Sequence, residues 1–221
     1  MKLKSRKTRR LCYAAALIAL QIPLALPALA VDCDRDQFSI LAIDNNVIAS
    51  TGSGGSRAFD LDKGEEVLAK ASSGCVALVS TNRRLLVISA LGGAWTPIPY
   101  RQNEQLTSEL LVGDLVGMAI TDRRIIAFEP VGRHVVKINI PSQETVTHWA
   151  VGESVVAAAT GHRLIGFSAG LSRSAEIALR LEEHVESFDS ASDIVTVVTE
   201  ARILTLRSGS GVWGIRKRPL Y

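Results

Sequence analysis

Aromatic residues make up only 5% of the 221 residues, and the chain holds just three cysteines and two methionines. A lectin with one sugar platform per repeat would show an aromatic residue in every copy, and none recurs that way. Helical periodicity is missing from Val31 onward: apolar residues come in blocks of four or five, or alternate. There is no G-x-S-x-G, no phosphate loop and no H-E-x-x-H. The histidines, at 134, 148, 162 and 184, form no close-set pair of metal-ligand spacing. No catalytic constellation, metal site or cofactor is therefore expected.

Basic charge is also scarcer than the total implies. The chain carries 25 Lys and Arg against 22 Asp and Glu. Six of the bases and none of the acids fall in residues 1–30, which leaves 19 bases, 22 acids and a net charge of −3 beyond them. No basic patch for nucleic acid follows from this composition. The six are Lys2, Lys4, Arg6, Lys7, Arg9 and Arg10; an apolar run Leu11–Leu26 and the small-residue site Ala28-Leu29-Ala30 come next. That layout is a secretory signal peptide over 1–30, with cleavage before Val31. An uncleaved anchor is the alternative, although Gln21, Pro23 and Pro27 interrupt the run. Arg9-Arg10 points weakly to the twin-arginine route, and Cys33 is misplaced for a lipoprotein. The expected location is periplasmic or extracellular, without stable membrane insertion after cleavage. Cys12 leaves with the signal. Cys33 and Cys75 then either pair, as an oxidising compartment favours, or remain separate buried thiols.

What the chain does have is a repeat. VALVSTNRRLLVIS (Val76–Ser89), VGMAITDRRIIAFE (Val116–Glu129), VVAAATGHRLIGFS (Val155–Ser168) and IVTVVTEARILTLR (Ile194–Arg207) align without gaps. Thr81, Thr121, Thr160 and Thr199 share one column, Arg84, Arg124, Arg163 and Arg202 another, and Ile88, Phe128, Phe167 and Leu206 a third. The arginines are 40, 39 and 39 residues apart, and a fixed period near 40 signals a repeat architecture. Each copy reads as a hairpin whose first strand is apolar throughout and rich in small residues, as in Ala157-Ala158-Ala159. A candidate strand precedes each hairpin, through a Gly/Asp/Ser turn. A more polar segment follows, beginning at Trp95, Val135, Ser174 or Trp213. A fifth, degenerate copy lies at the start, with Ile40–Ile43 and Asn46–Ala49 as its hairpin, Asn46 in the Arg column and Arg57–Leu61 as its outer segment. Its first strand would have to come from the poorly strand-forming 31–37.

Four short strands per 39 residues, crowded inside and polar outside, resemble the blades of β-propeller repeat proteins. The resemblance covers nearly all of 38–221. It lacks the dipeptides of the WD40 type and the paired glycines of the kelch type, and it matches no specific characterised family. A tandem of pleckstrin-like domains, the rival, needs longer units and a carboxy-terminal helix. The resemblance implies an all-β, five-bladed propeller of four-stranded antiparallel blades spanning 31–221, with blades near 31–62, 63–101, 102–141, 142–180 and 181–221. A disulfide between Cys33 and Cys75 would then tie the weak first blade to the second and take over part of the ring closure.

The candidate binding residues are Arg83, Arg84, Arg123, Arg124, Arg163 and Arg202, on the hairpin tips. Guanidinium groups on one face could hold an anionic polymer bidentately. The alternative is structural: each column arginine bridges to the adjoining blade, which leaves the non-repeated Arg83 and Arg123 as the better ligand candidates. Asp114, Glu153 and Asp193 are equivalent turn residues on the opposite face. They, and the loose acids Asp44, Asp60 and Asp62, make a poor match to the convergent acids of a glycosidase. The expectation is a monomeric or weakly self-associating, exported, non-catalytic binding or scaffold module for an anionic ligand or protein partner. A glycan-active hydrolase or a carbohydrate-binding lectin is the alternative.

Overall fold

The computed structural model describes residues 33, 38–52 and 54–218. The expected signal segment, 1–30, lies outside the described residues. Among those described there is no helix, and hence none long and apolar enough to cross a membrane.

The strands form five antiparallel sheets. Sheet 1 holds β1 (Phe38–Ile43), β2 (Asn46–Thr51) and β3 (Ser56–Asp60). Sheet 2 holds β4 (Val67–Ser73), β5 (Val76–Thr81), β6 (Arg84–Ser89) and β7 (Thr96–Pro99). Sheet 3 holds β8 (Leu111–Val112), β9 (Gly117–Ile120), β10 (Arg124–Glu129) and β11 (His134–Asn139). Sheet 4 holds β12 (Val146–Val151), β13 (Val155–Thr160), β14 (Arg163–Ser168) and β15 (Ala175–Ala178). Sheet 5 holds β16 (Val185–Ala191), β17 (Ile194–Thr199), β18 (Arg202–Arg207) and β19 (Trp213–Lys217). Every sheet is a simple meander, each strand pairing with the one before it.

Sheet 1 departs from the expected four strands: three of its strands lie among the described residues. The missing one is the first. Backbone bonds fix the correspondence, because Leu61 N donates to Asn45 O just as Tyr100 N does to Arg83 O, Ile140 N to Arg123 O and Leu179 N to His162 O. Asn46 thus occupies the position of Arg84, and β1 that of β5. The segment expected to supply the first strand, 31–37, is outside the described residues except for Cys33, which belongs to no strand. Cys33 is instead disulfide-bonded to Cys75, in the turn between β4 and β5, with Cα atoms 5.2 Å apart.

Neighbouring sheets stack face to face, and the core is divided among the joints. Val47 and Ala49 of sheet 1 pack on Ala77, Val79, Leu86 and Ile88 of sheet 2. Val76, Leu78, Leu85 and Val87 on the other face of sheet 2 meet Ala119, Ile126 and Phe128 of sheet 3. Met118, Ile120 and Ile125 meet Val156, Ala158, Ile165 and Phe167, and Ala157, Ala159 and Leu164 meet Val195, Val197, Leu204 and Leu206. The second strands of sheets 2, 3 and 4 are buried at every residue because they have a sheet on both sides. In β13 the run Ala157-Ala158-Ala159 lets sheets 3 and 5 approach it closely. The indole N–H of Trp95 and of Trp213 each reaches 3.0 Å back to a carbonyl of the preceding sheet, Arg57 O and Ala175 O.

One end of the stack is stitched by backbone alone. Cys75 N donates to Asp114 O (2.8 Å), Leu115 N to Glu153 O (2.7 Å) and Ser154 N to Ser192 O (3.0 Å). Glycine makes this approach feasible, since a Cβ on Gly113 would lie 2.0 Å from Gly152 O and one on Gly152 would lie 2.2 Å from Ala191 O. The disulfide attaches to this same row of turns. It closes a loop of 42 residues, for which chain entropy gives about 4 kcal/mol. The Cys33→Ala/Cys75→Ala variant is therefore expected to melt roughly 10 °C lower by calorimetry; a melting curve unchanged by the substitution, or by a reductant, contradicts the bridge's role.

Candidate functional site

The residues that recur most strictly in the sequence meet at the other end of the stack. In each hairpin tip the Thr side chain turns back on its own backbone. Thr81 Oγ1 accepts the N–H groups of Arg83 and Arg84 at 3.1 and 3.0 Å, and Thr121, Thr160 and Thr199 repeat this pattern. A hydroxyl is small enough to close such a turn, which accounts for the Thr column.

The same hydroxyl donates to a buried carboxylate that reading the hairpins alone does not reveal. Thr81 reaches Glu65 (2.7 Å), Thr121 reaches Glu104 (2.7 Å) and Thr199 reaches Glu183 (2.6 Å). These glutamates sit in the loops that join one sheet to the next. Each also receives the column arginine: Arg84 Nε to Glu65 (2.8 Å), Arg124 Nε to Glu104 (2.8 Å), Arg163 Nε to Glu144 (3.1 Å) and Arg202 Nε to Glu183 (2.8 Å). The arginine's far end then reaches the preceding sheet. Arg124 donates to Pro99 O (2.7 Å), Arg163 to Asn139 O (2.9 Å) and Arg202 to Ala178 O (3.1 Å). Arg84 instead lies over the Phe59 ring, 5.2 Å from its centroid, and pairs with Asp62. One guanidinium thus ties its own hairpin, the connecting loop and the previous sheet together.

The loop is shaped to present the glutamate. Glu65 N donates to Asp62 O and its carboxylate takes Asp62 N back (3.0 Å); Glu104 does the same with Arg101 (2.6 Å) and Glu183 with Arg180 (2.8 Å). In the fourth copy the partner is Pro141, which has no N–H to give. Of the four pairs between a column arginine and its loop glutamate, Arg163 and Glu144 are the most exposed, with side chains 22% and 11% accessible, and Arg163 also pairs with Glu176 at 2.6 Å. Glu65, Glu104 and Glu183 recur at intervals of 39 and 79 residues, so a column search extended upstream of the hairpin would have found them.

Burial, the largest single influence on Glu65, pushes its carboxyl pKa up. Bonds from Arg84, Thr81 and the Asp62 N–H outweigh it and hold the group at about 2. Glu183 is also held at about 2, chiefly by Arg202. In Glu104 burial again pushes up most strongly, but Arg101 N–H, Arg124 and Thr121 leave the pKa lowered. Arg84 and Arg202 are raised correspondingly by their carboxylate partners.

The six arginines expected as ligand contacts thus divide into two groups. Arg84, Arg124, Arg163 and Arg202 are engaged in these inter-sheet ion pairs, with Arg124 and Arg202 buried. Arg83 and Arg123 point outward, their side chains about half exposed, beside Asp62 (3.8 Å) and Asp122 (3.6 Å). Asp114 and Glu153 lie at the opposite end of the stack, where they accept Ser73 Oγ (2.7 Å) and Ser192 Oγ (3.2 Å). Asp44 and Asp60 are exposed on sheet 1 and do not converge with them. Among the described residues no group of three metal-capable side chains occurs. His134 pairs with the buried Glu129 (2.8 Å), and His148 stacks on Phe188 at 6.3 Å. Between sheets 3 and 4, next to the Arg123 hairpin, lies a cleft of about 380 Å³ lined by Thr107, Asp122, Ser142, Thr145 and the partly exposed Trp149.

No family model and no curated protein matches the chain. Solved structures to which it is similar are β-propeller proteins. They include Prp20p of Saccharomyces cerevisiae (TM-score 0.38, 10% identity, 78% of this chain and 57% of that one). Apo AztD from Citrobacter koseri gives a TM-score of 0.39 with 16% identity over 82% and 58% of the two chains. PorZ, a surface component of the type-IX secretion system of Porphyromonas gingivalis, gives 0.40 with 12% identity over 82% and 26%. The chain spans little more than half the length of the first two.

The lowered carboxylates make stability pH-dependent. An unfolded glutamate titrates near 4.5 and Glu65 and Glu183 near 2, so each contributes roughly 3 kcal/mol that is present above about pH 5 and is lost as pH falls toward 2. The melting temperature is expected to drop steeply through that window, and the Glu65→Gln/Glu183→Gln variant to be less stable at neutral pH with a flatter acid profile. Parallel profiles for variant and parent would contradict the assignment.

Proposed function

We propose that the protein is an exported, non-catalytic binding or scaffold module built as a five-bladed propeller-type stack. Its ligand-binding surface is the hairpin face of sheets 2 and 3, and its ligand is an anionic polymer or a protein with an acidic surface. The observation that carries this reading is the split within the arginines. The arginines repeated in all four copies are paired with the glutamates of the joints, whereas Arg83 and Arg123, present in only two copies, stand half exposed on adjacent hairpins. Residues common to all copies hold the stack together, so specificity falls to those that differ. The recurring glutamates are committed to the joints, which supports a binding rather than a hydrolytic role. The Cys33–Cys75 bridge supports an oxidising compartment.

One observation favours a second reading, carbohydrate binding. Trp149 presents an aromatic surface beside hydroxyls of Thr107, Ser142 and Thr145 and the carboxylate of Asp122. The two readings separate by substitution. For anion recognition, Arg83→Ala/Arg123→Ala is expected to weaken retention on immobilised heparin or polyphosphate about tenfold, with strong salt dependence and no change in melting temperature. Unchanged retention overturns that reading. Oligosaccharide binding that is abolished by Trp149→Ala and indifferent to salt would establish the other.

A further inference from the structure

Among the described residues, sheets 2, 3 and 4 have a sheet packed on both faces, and sheets 1 and 5 on one face only. In β17 burial alternates strictly, with Val195, Val197 and Thr199 buried and Ile194, Thr196 and Val198 only partly so, where β13 is buried throughout. The uncovered face of sheet 5 is the one that, in sheets 2 to 4, receives the next sheet. Its Ile194, Val198 and Ile203 stand where sheet 4 has Val155, Ala159 and Leu164, which are 0% exposed. Sheet 1 has the opposite vacancy. Leu41 and Ile43 are 49% and 47% exposed, and Leu41 stands where sheet 2 has the fully buried Val79. The two bare faces are therefore the two different halves of the joint that the molecule already makes four times over.

The polar residues at the ends fit each other as well. At each internal joint the later sheet offers an arginine (84, 124, 163 or 202) and the earlier sheet an apolar residue in the outer-strand column (Phe59, Ile98, Ile138 or Ile177). At the two ends the assignment is reversed: Asn46 replaces the arginine on sheet 1 and Arg216 replaces the apolar residue on sheet 5. A joint between these faces would take its guanidinium groups from the sheet-5 side, where Arg207 lies on the same face as Arg216. Exposed Asp60, on the outer face of sheet 1 beside Asn46, complements Arg216 on the outer face of sheet 5. Both faces mix apolar and polar side chains: Leu41, Ile43 and Ile48 with Asn46 and Asp60 on sheet 1, and Ile194, Val198 and Ile203 with Thr196, Thr205, Arg207 and Arg216 on sheet 5.

We propose that the bare face of sheet 5 stacks on the bare face of sheet 1 of a second copy of this chain, so that copies associate head to tail. The contact is heterologous: each copy brings one face of each kind, and association continues until a ring closes or a filament forms. It goes beyond the monomeric or weakly self-associating state expected from the sequence, and it stands independently of which ligand the hairpin face takes.

The test uses the exported chain with its disulfide intact, in two variants that each block one face. One is Leu41→Asp/Ile43→Asp, the other Val198→Asp/Ile203→Asp. Sedimentation velocity of the parent is expected to show a mass that rises with concentration beyond the monomer, while each variant alone stays monomeric. An equimolar mixture of the two is expected to form a one-to-one dimer and nothing larger, because one sound face of each kind remains. A parent that is monomeric at every concentration, as when the chain's own ends cover each other, overturns the proposal. So does a single-face variant that associates like the parent, or a mixture that stays monomeric. Should an aspartate variant lose its cooperative melt, Leu41→Ser/Ile43→Thr and Ile203→Thr replace it with the same expected pattern.

Discussion

At three of the four joints between sheets, a buried carboxylate shared by a threonine hydroxyl and an arginine governs how the sheets meet. Each glutamate lies in the loop between two sheets, and each column arginine extends from its hairpin through that glutamate to the sheet before. An ion pair taken out of water gains little net stability over a well-packed apolar pair, but losing one partner is costly, about 3–5 kcal/mol. Its value here is geometric. The planar guanidinium fixes distance and direction at once, and the threonine, already closing the turn, admits a single seat for the carboxylate. Apolar faces alone, lined by Ala, Val and Ile, could slide on one another.

The far end of each joint is held by different means. Turn N–H groups meet carbonyls of the next turn, and glycines 113 and 152 remove the side chains that would keep them apart. Between the two ends lie second strands of small residues, buried on both faces in sheets 2, 3 and 4. The two kinds of clamp set the spacing, and the apolar second strands fill it, with three alanines in β13 and larger side chains such as Leu78 and Met118 in β5 and β9. At the start of the chain both clamps are lost together: with Asn46 in the arginine column and no first strand among the described residues, sheet 1 has neither triad nor turn ladder of its own. The disulfide from Cys33 to Cys75 anchors the chain at that point.

Much of this was legible in the residue order. The 39-residue period, the hairpins, the Thr and Arg columns and the position of Asn46 all follow from aligning the chain with itself, whereas the pairing of the cysteines was one of two outcomes the sequence left open. The glutamates escaped because they lie 19 or 20 residues upstream of their arginines, in turns where only the carboxylate recurs while its neighbours change from Asp62 to Arg101, Pro141 and Arg180. A hairpin-centred alignment sees a loop there, not a partner. The bare outer face of sheet 5 escaped for a different reason: Ile194, Val198 and Ile203 are as apolar as the residues that are buried in other copies. Only Thr196, Thr205 and Arg216 mark the departure, and a single polar substitution in a strand does not reveal on its own whether a sheet lies above it.

The central claim is that Glu104 and Arg124 act as one unit holding sheet 3 to sheet 2. A double-mutant cycle with Glu104→Gln and Arg124→Met, read by chemical unfolding, measures it directly. Each single change is expected to cost about 3–5 kcal/mol, and the pair together far less than the sum, with a coupling of about 2 kcal/mol or more; the same cycle on the more exposed Glu144 and Arg163 should give less. Additive losses at Glu104 and Arg124 would mean that the two residues act separately, and that the sheets are held by their apolar faces alone.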